Sequence, residues 1–535
     1  MSRIRKYAGR WAVLLLVVGI AGAALLPPES GSGASSLTVG LLSEPAGLNP
    51  LTATSNETKD IVWRMFLKLL DEEPDYLNFS PRLAESWEFS ADSLIITFRL
   101  RGDVSWTDGI PVTAHDVRFT WQLQTDTTVA WRSRSLKQYI RDVEVVDDFT
   151  VAFHFDRRYP YQLMDANDGV ILPRHLLSGV PRDKLREHPF GRDPVGNGPY
   201  RLHRWEPGQY IELIANPGYY EPGKPRVERV VYRFVPDMVT LMTQLKNGEI
   251  DLLEAVPGDQ LEPLARDYPG IRIYSYPSRD YWFVSWNLRK DLFADAVVRR
   301  ALSMAIDRKE IIATVWGGRA SPCDSPIHPG LWAFDDSIEA IPFDPAAALR
   351  ALAGLGWTDS DGDGLLDREG RPFEFELITN NSSQQRVDVA TMIQAQLGRI
   401  GVGVNLRTLE FRTVIDQLFS FEYDGCVLGW GTATKADITS HWHSSAVPPD
   451  GYNISSYQNP AVDELIERAR VELDRDRARD LWSQVQRTIY EDQPFTFLLI
   501  PHEVTALDGR FCGVEPNAIS FFYNLRDWRV AEDCD

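Results

Sequence analysis

Val230-Val231-Tyr232-Arg233-Phe234-Val235-Pro236-Asp237-Met238-Val239-Thr240-Leu241-Met242-Thr243-Gln244-Leu245-Lys246-Asn247-Gly248-Glu249-Ile250-Asp251-Leu252-Leu253 is the stretch that decides the fold class. Val230 to Phe234 reads as a strand. Met238 to Asn247 reads as a helix, ended by Gly248, and Ile250 to Leu253 as the next strand. Strand, helix and strand in this order are the grammar of an α/β sheet.

Toward the N-terminus, Leu37 to Leu42 is a short apolar run that reads as a buried strand. Pro45 forbids its continuation as a central strand, and Gly47 and Pro50 keep the chain turning. A buried strand emptying into a rigid polar loop can build one wall of a ligand cleft, with Ser43 and Glu44 as its lip. Residues 61 to 70 carry an amphipathic pattern around Ile61, Met65, Phe66 and Leu69. Leu94 to Leu100 and Val151 to Phe155 read as strands. Tyr200 to Trp205 and Ile211 to Ala215 read as a hairpin. Toward the C-terminus the alternation continues. Strands are expected at Tyr281–Leu288, Phe373–Thr379, Val402–Leu409, Asp424–Gly429 and Phe495–Pro501. Helices are expected at Asp295–Ile306, Lys309–Trp316, Val387–Ile400, Ala461–Leu473 and Arg475–Tyr490. A chain of 535 residues exceeds one core. The pieces suggest two lobes joined by crossings near 280 and 505: a first lobe over 37–280 with an inserted subdomain at about 75–195, a second over 281–503, and a return to the first over 504–535.

Arg3, Arg5, Lys6 and Arg10 precede an uncharged stretch, Trp11 to Leu26, in which Ala21-Gly22-Ala23 offers small residues for cleavage. Residues 1–26 therefore read as a signal peptide, with a retained anchor helix as the alternative, and 27–36 as a linker. The expected location is periplasmic or otherwise extracytoplasmic. The formal charge of −20 repels phosphate backbones and argues against nucleic acid as a partner; a monomer is expected. The 16 Trp and 19 Tyr serve core packing and, in part, an aromatic-lined cleft. None of the four cysteines shows a CxxC spacing. In an oxidising compartment Cys512 could pair with Cys534 and tie down the tail, leaving Cys323 and Cys426 as a second pair. Connectivity is not fixed by sequence.

Several short elements occur in order. They are Leu83-Ala84-Glu85-Ser86-Trp87, Trp106-Thr107-Asp108-Gly109 through Val117, and Gly196-Asn197-Gly198-Pro199-Tyr200. Gly248-Glu249-Ile250-Asp251, Val298 through Ala305-Ile306-Asp307-Arg308, Gly429-Trp430, Trp442-His443-Ser444-Ser445 and Tyr457 to Asp463 follow. With the opening Leu37–Leu51, the series resembles the extracytoplasmic solute-binding proteins of family 5, the peptide and nickel binders of ABC importers. The resemblance implies a periplasmic binding protein of the cluster C type. Such a protein has two α/β lobes, with mixed sheets in each and an extra subdomain in the first, and closes on its solute by a hinge motion. It implies a small-molecule or peptide ligand and ABC permease subunits as partners.

Two stretches are candidates for ligand contact. In Tyr281-Trp282-Phe283-Val284-Ser285-Trp286-Asn287, alternation separates Tyr281, Phe283 and Ser285 from Trp282, Val284 and Trp286. One face is core and the other is free to stack on a ligand; the Val284 face is expected to be core. In Gly429-Trp430-Gly431-Thr432-Ala433-Thr434 a strand ends in a Gly-rich loop, which lets backbone groups approach a ligand. The resemblance places Trp430, Gly431 and Thr432 in the cleft and Trp442 beside it. Relatives that bind short peptides place an Asp where Ala433 stands, and Asp437 could substitute if the loop is shifted. An Arg for the peptide carboxylate would fall near Asn380-Asn381. Both charge anchors are thus missing at their expected positions. A buried ammonium without a partner would cost several kcal/mol.

His441, Trp442 and His443 raise nickel or haem as a ligand, but His residues two apart converge on a metal only in an extended segment. Asp359, Asp361 and Asp363, with Gly364 sixth and Asp367 ninth, copy a calcium loop that lacks its twelfth-position Glu. A structural calcium and an acidic hairpin turn both fit; no other cofactor is required. No GxSxG, HExxH or Walker A pattern occurs, so no enzyme is expected. The expected function is capture of an oligopeptide-like or similar polar solute for an ABC importer. The alternatives are a sugar, nickel, haem or metal chelate as solute, or an exported sensor or hydrolase on the same fold.

Overall fold

The computed structural model describes residues 35–53, 55–531 and 534, so the leader reading lies outside the described residues. No helix among the described residues is long and apolar enough to cross a membrane. The strand–helix–strand unit forms as read. Strand Arg229–Phe234, helix Met238–Lys246 and strand Leu252–Leu253 follow in order. Asp237 caps the helix by accepting from the Thr240 N–H at 2.7 Å. The opening run, Ser36–Leu41, lies between the two strands and is parallel to both. Leu241, Met242 and Leu245 of the helix pack on Ile250, Leu253 and Val504. Gly40 permits the close approach: a Cβ there would lie 2.6 Å from Leu241.

The hairpin Tyr200–Glu206 and Tyr210–Ala215 extends this sheet on one side. A separate four-stranded antiparallel sheet, within 84–155, forms a layer of its own, with Phe98 and Phe153 edge to face at 5.4 Å. In the second lobe, strands Glu374–Asn380, Gly403–Leu409 and Gly425–Gly431 run parallel. Strand Asp280–Trp286 pairs antiparallel with the last of them. Both its faces are buried: Trp282, Val284 and Trp286 in one cluster, Tyr281 and Phe283 in another.

The lobes share one strand. Phe495–Asp508 runs 14 residues without interruption. Its first half pairs with Asp280–Trp286 and its second half with Ile271–Pro277 and Leu252–Leu253. The sheets expected in separate lobes are therefore joined into one 12-stranded sheet. The chain crosses between lobes at 277–280 and 500–503.

Two local readings are corrected. The helix expected at 61–70 is Asn56–Met65, capped by Ser55. It stops because the Leu67 N–H donates to Asn197 Oδ1 at 2.8 Å, while the Asn197 and Gly198 N–H groups take the Met65 carbonyl. Cys512 and Cys534 are bonded, but Cys323 and Cys426 are separate buried thiols. Burial pushes the Cys323 thiol up to about 12 and raises that of Cys426 as well.

Candidate functional site

Strand register puts both carboxyl edges at the hinge. Leu253 pairs with Ala506, so the first lobe's parallel strands end toward residue 503. Gly431 pairs with Asp280, so those of the second lobe end at the other crossing. A crevice at the carboxyl ends of parallel strands is where α/β sheets take ligands.

Among the described residues, the contacts between the lobes across this crevice include one apolar and one ionic. Tyr76 leaves the first lobe from a turn in which Asp75 accepts from the Leu77 and Asn78 N–H groups, at 2.9 Å each. The Tyr76 side chain joins the second lobe's cluster with Ile327 and Leu331. The other contact is ionic. Lys435 donates to Asp165 Oδ1 at 2.6 Å, and the side chain of Asp165 is only 4% exposed. The Tyr159 hydroxyl donates to the other carboxylate oxygen at 2.7 Å. The Tyr161 ring lies 5.4 Å from the Lys435 ammonium. Burial raises the pKa of Asp165, and Lys435 opposes the shift. Beneath it, Lys137 is fully buried and gives its protons to the carbonyls of Asp165 and Asp168, at 2.5 and 2.7 Å. Burial lowers its pKa to about 8.

The first lobe's edge carries carboxylates. Glu254 follows the strand Leu252–Leu253; burial, then Asp60 and Glu503, push its pKa up to about 8. Asp60 is raised chiefly by burial, although Ser520 donates to it at 2.6 Å and Arg64 lies 3.7 Å away. The second lobe's edge is aromatic. Trp430 stacks on Phe283 at 6.0 Å and meets His441 and Tyr452 at 5.3 and 5.9 Å. Burial holds His441 down at about 4.

Of the candidate residues, Ser43 is exposed at the lip. Glu44 is spent on the neighbouring hairpin, accepting from Trp205 Nε1 at 2.7 Å and the Gly208 N–H at 2.8 Å. Tyr281, Phe283 and Trp442 lie in the second lobe's core, where Phe495 stacks on Phe283 at 4.1 Å and meets Trp442 at 4.7 Å. The face expected to be free for stacking is thus packed. Gly431 and Thr432 stand at the crossing, and the Thr432 N–H donates to the Arg279 carbonyl at 2.9 Å. Asp437 turns inward on its own chain and accepts from the Thr439 N–H at 3.0 Å. Thr439–Trp442 is helical, so His441 and His443 diverge; His443 meets Glu467 at 3.4 Å. The carboxylates of Asp359, Asp361 and Asp363 come within 4.8 Å of one another on the surface, whereas Asp367 accepts from Ser360 instead.

Sequence reasoning missed Asp165 and Lys435, which meet only in the tertiary fold, and Tyr76, which reaches the second lobe's cluster. It also missed Arg386. This arginine lies six residues beyond the expected anchor position and donates to Asn380 Oδ1 at 2.8 Å.

The family described as bacterial extracellular solute-binding proteins, family 5 Middle, matches residues 78–448. "Oligopeptide-binding protein AppA" of Bacillus subtilis (strain 168) is 31% identical over 513 residues, covering 94% of this chain and 93% of that protein. The structure of AppA from Bacillus subtilis in complex with a nonapeptide superposes with a TM-score of 0.71 at 31% identity, covering 93% of this chain and 99% of that one. NikZ from Campylobacter jejuni in complex with Ni(L-His) gives 0.73 at 25% identity, covering 92% and 99%. The substrate-binding protein CtaP of Listeria monocytogenes gives 0.81 at 25%, covering 93% and 99%.

Proposed function

The chain belongs to the bacterial extracellular solute-binding proteins of family 5, and we propose that it is the substrate-binding component of an ABC importer. It captures an oligopeptide-like or similar polar solute between its lobes and delivers it to a membrane permease. It works outside the cytoplasm as a monomer and performs no catalysis. The observation that carries this reading is the two-lobed crevice itself. Parallel-sheet edges face each other across a shared strand, and Tyr76 and the Lys435–Asp165 pair bridge the crevice between them. A protein that must open and shut around a solute needs side-chain contacts that break while the strand behind them stays whole. The likeness to relatives named for peptide binding supports a peptide-like solute. The likeness to NikZ supports a metal chelate as the second reading.

Native mass spectrometry of the protein purified without refolding tests both. A retained peptide is the expected result. A retained metal chelate or sugar would replace the solute, and a covalently altered ligand would count against transport.

A further inference from the structure

Beside the first lobe's acidic edge lies a cavity of about 100 Å³. Apolar cavities of about 150 Å³ take up a benzene ring, so the space is on the scale of one ring. Trp63 and Phe66 come to it from the helix Asn56–Met65 and its C-terminal cap. Val170 and Tyr200 add further apolar surface, and Ile519 and Tyr523 reach it from the returning C-terminal segment.

The cavity adjoins the junction of the lobes. Ile519 packs against the second lobe's cluster, the same one that Tyr76 joins. Glu72 lines the cavity just before the Tyr76 turn, in which the Glu73 carbonyl accepts from the Tyr76 N–H at 2.9 Å. The Tyr523 hydroxyl donates to the Glu73 carboxylate at 3.3 Å. Ser520 also lines the cavity and donates to Asp60, at the carboxyl edge, at 2.6 Å. A group that enters the cavity therefore lies against the base of a closing contact.

The charges around the cavity are already matched. Asp71 accepts from Arg526 at 2.7 Å and lies 3.5 Å from Arg82. Glu72 holds Lys68 at 3.3 Å, and Asp60 lies 3.7 Å from Arg64. A charged solute group would have to compete with these partly buried pairs, whereas an uncharged group leaves them whole. Apolar surface and a few donors remain unspent. The Lys68 ammonium lies 5.5 Å from the centre of the Trp63 ring. Among the described residues it makes one hydrogen bond, to Glu72, although an ammonium has three protons to give. The buried Nε of Arg526 has no hydrogen-bond partner. A ring with an oxygen at its edge suits both features, since such side chains join an apolar body to a polar tip.

We propose that this cavity receives an aromatic side chain of the solute, with its hydroxyl accepting from Lys68. The proposal rests on the solute-binding reading and narrows it to aromatic peptides.

The full chain would be titrated calorimetrically with pentapeptides Gly-Gly-Xaa-Gly-Gly, in which Xaa is tyrosine, phenylalanine, leucine or alanine, and with N-acetyltyrosinamide alone. The tyrosine peptide is expected to bind at least tenfold more tightly than the alanine peptide, with phenylalanine between them. Ile519→Trp, which fills the cavity, and Trp63→Ala, which removes a wall, are each expected to abolish most of that advantage; thermal melts would verify that both variants fold. Lys68→Met is expected to bring tyrosine down to phenylalanine and to leave phenylalanine ahead of alanine. Equal binding of all four peptides, by the parent and by Ile519→Trp, would overturn the cavity as a site and leave peptide capture standing. Leucine bound as tightly as tyrosine would overturn its aromatic assignment. N-Acetyltyrosinamide bound by the parent and lost in Ile519→Trp, with no pentapeptide bound, would uphold the site and overturn the peptide reading. No binding of any aromatic probe would overturn the site.

Discussion

Both lobes bring the carboxyl edge of a parallel sheet to the hinge, but they furnish it differently. The first lobe places carboxylates there, Glu254 and Asp60 among them, with pKa values raised by burial. The second places Trp430, His441 and Tyr452, with His441 kept neutral near pH 7. One edge therefore responds to pH and the other to apolar contact. The backbone geometry is alike, so the difference resides in the side chains brought to each edge, from the helix Asn56–Met65 and Glu254 on one side and from Trp430, His441 and Tyr452 on the other.

The sharpest way to break the comparison is at the glycines that seat each edge. A Cβ at Gly196 would lie 2.1 Å from the Met65 carbonyl oxygen, which is backbone and cannot swing aside. Gly196→Val should cost about 4 kcal/mol or more and unfold the first lobe at lower denaturant. At Gly429 the obstacle is the Trp282 ring at 2.9 Å, a side chain that can yield. Gly429→Ala should cost about 1–2 kcal/mol in chemical denaturation. Equal costs would mean that the two edges are equally rigid.

An effect smaller than that of Gly196→Val is expected where the lobes meet. Lys435→Met leaves the Asp165 carboxylate without its cation. Breaking a buried pair costs about 3–5 kcal/mol, and the partial exposure of Lys435, 21%, reduces this to about 2 kcal/mol. Small-angle scattering should show a more open average shape, and solute affinity should fall about tenfold to thirtyfold. An unchanged scattering profile would remove the pair from the closing contacts.

The acidic edge makes a pH prediction. Folded Glu254 titrates at about 8, above the unfolded value, so the folded state holds more protons between those two pKa values. Stability therefore falls as pH rises through that window, and Glu254→Gln should flatten the decline. Melting temperatures at pH 5, 6.5 and 8 would measure it; a decline as steep as the parent's would place its source elsewhere. The smallest effect is expected at Asp359–Asp367, far from either edge. The backbone N–H groups of Gly362 and Leu365 already satisfy Asp359 and Asp363, at 2.8 Å each. Excess chelator should leave the melting curve in place, and a shift of several degrees would identify a bound structural calcium.

Local signals carried much of the architecture. The strand–helix–strand unit was legible because Asp237, the apolar spacing and Gly248 all act within a few residues. The helix over Lys309–Trp316 was legible for the same reason, with Gly317 left-handed at its end. The helix near 61–70 was displaced because its stop is Asn197, 130 residues away from Leu67. The hinge strand was read only to Pro501, since the apolar run ends where the strand changes lobes. In the candidate site, Trp430 and Thr432 could be put forward from their glycine-rich setting together with the family resemblance. Lys435 and Asp165 were not, because 270 residues separate them and neither belongs to a local pattern.

Two prolines flank the crossing. Pro277 pairs with His502, and Pro501 lies opposite Ala320 while its carbonyl accepts from the Ser278 N–H at 2.9 Å. Neither proline has an N–H to give, so the ladder is thinnest where it must flex. Rotation of one lobe against the other then strains few backbone bonds. On this reading the residence of a captured solute would be set at the rim, by the breaking of the Tyr76 contact and of the Lys435–Asp165 pair, rather than by the strand behind them.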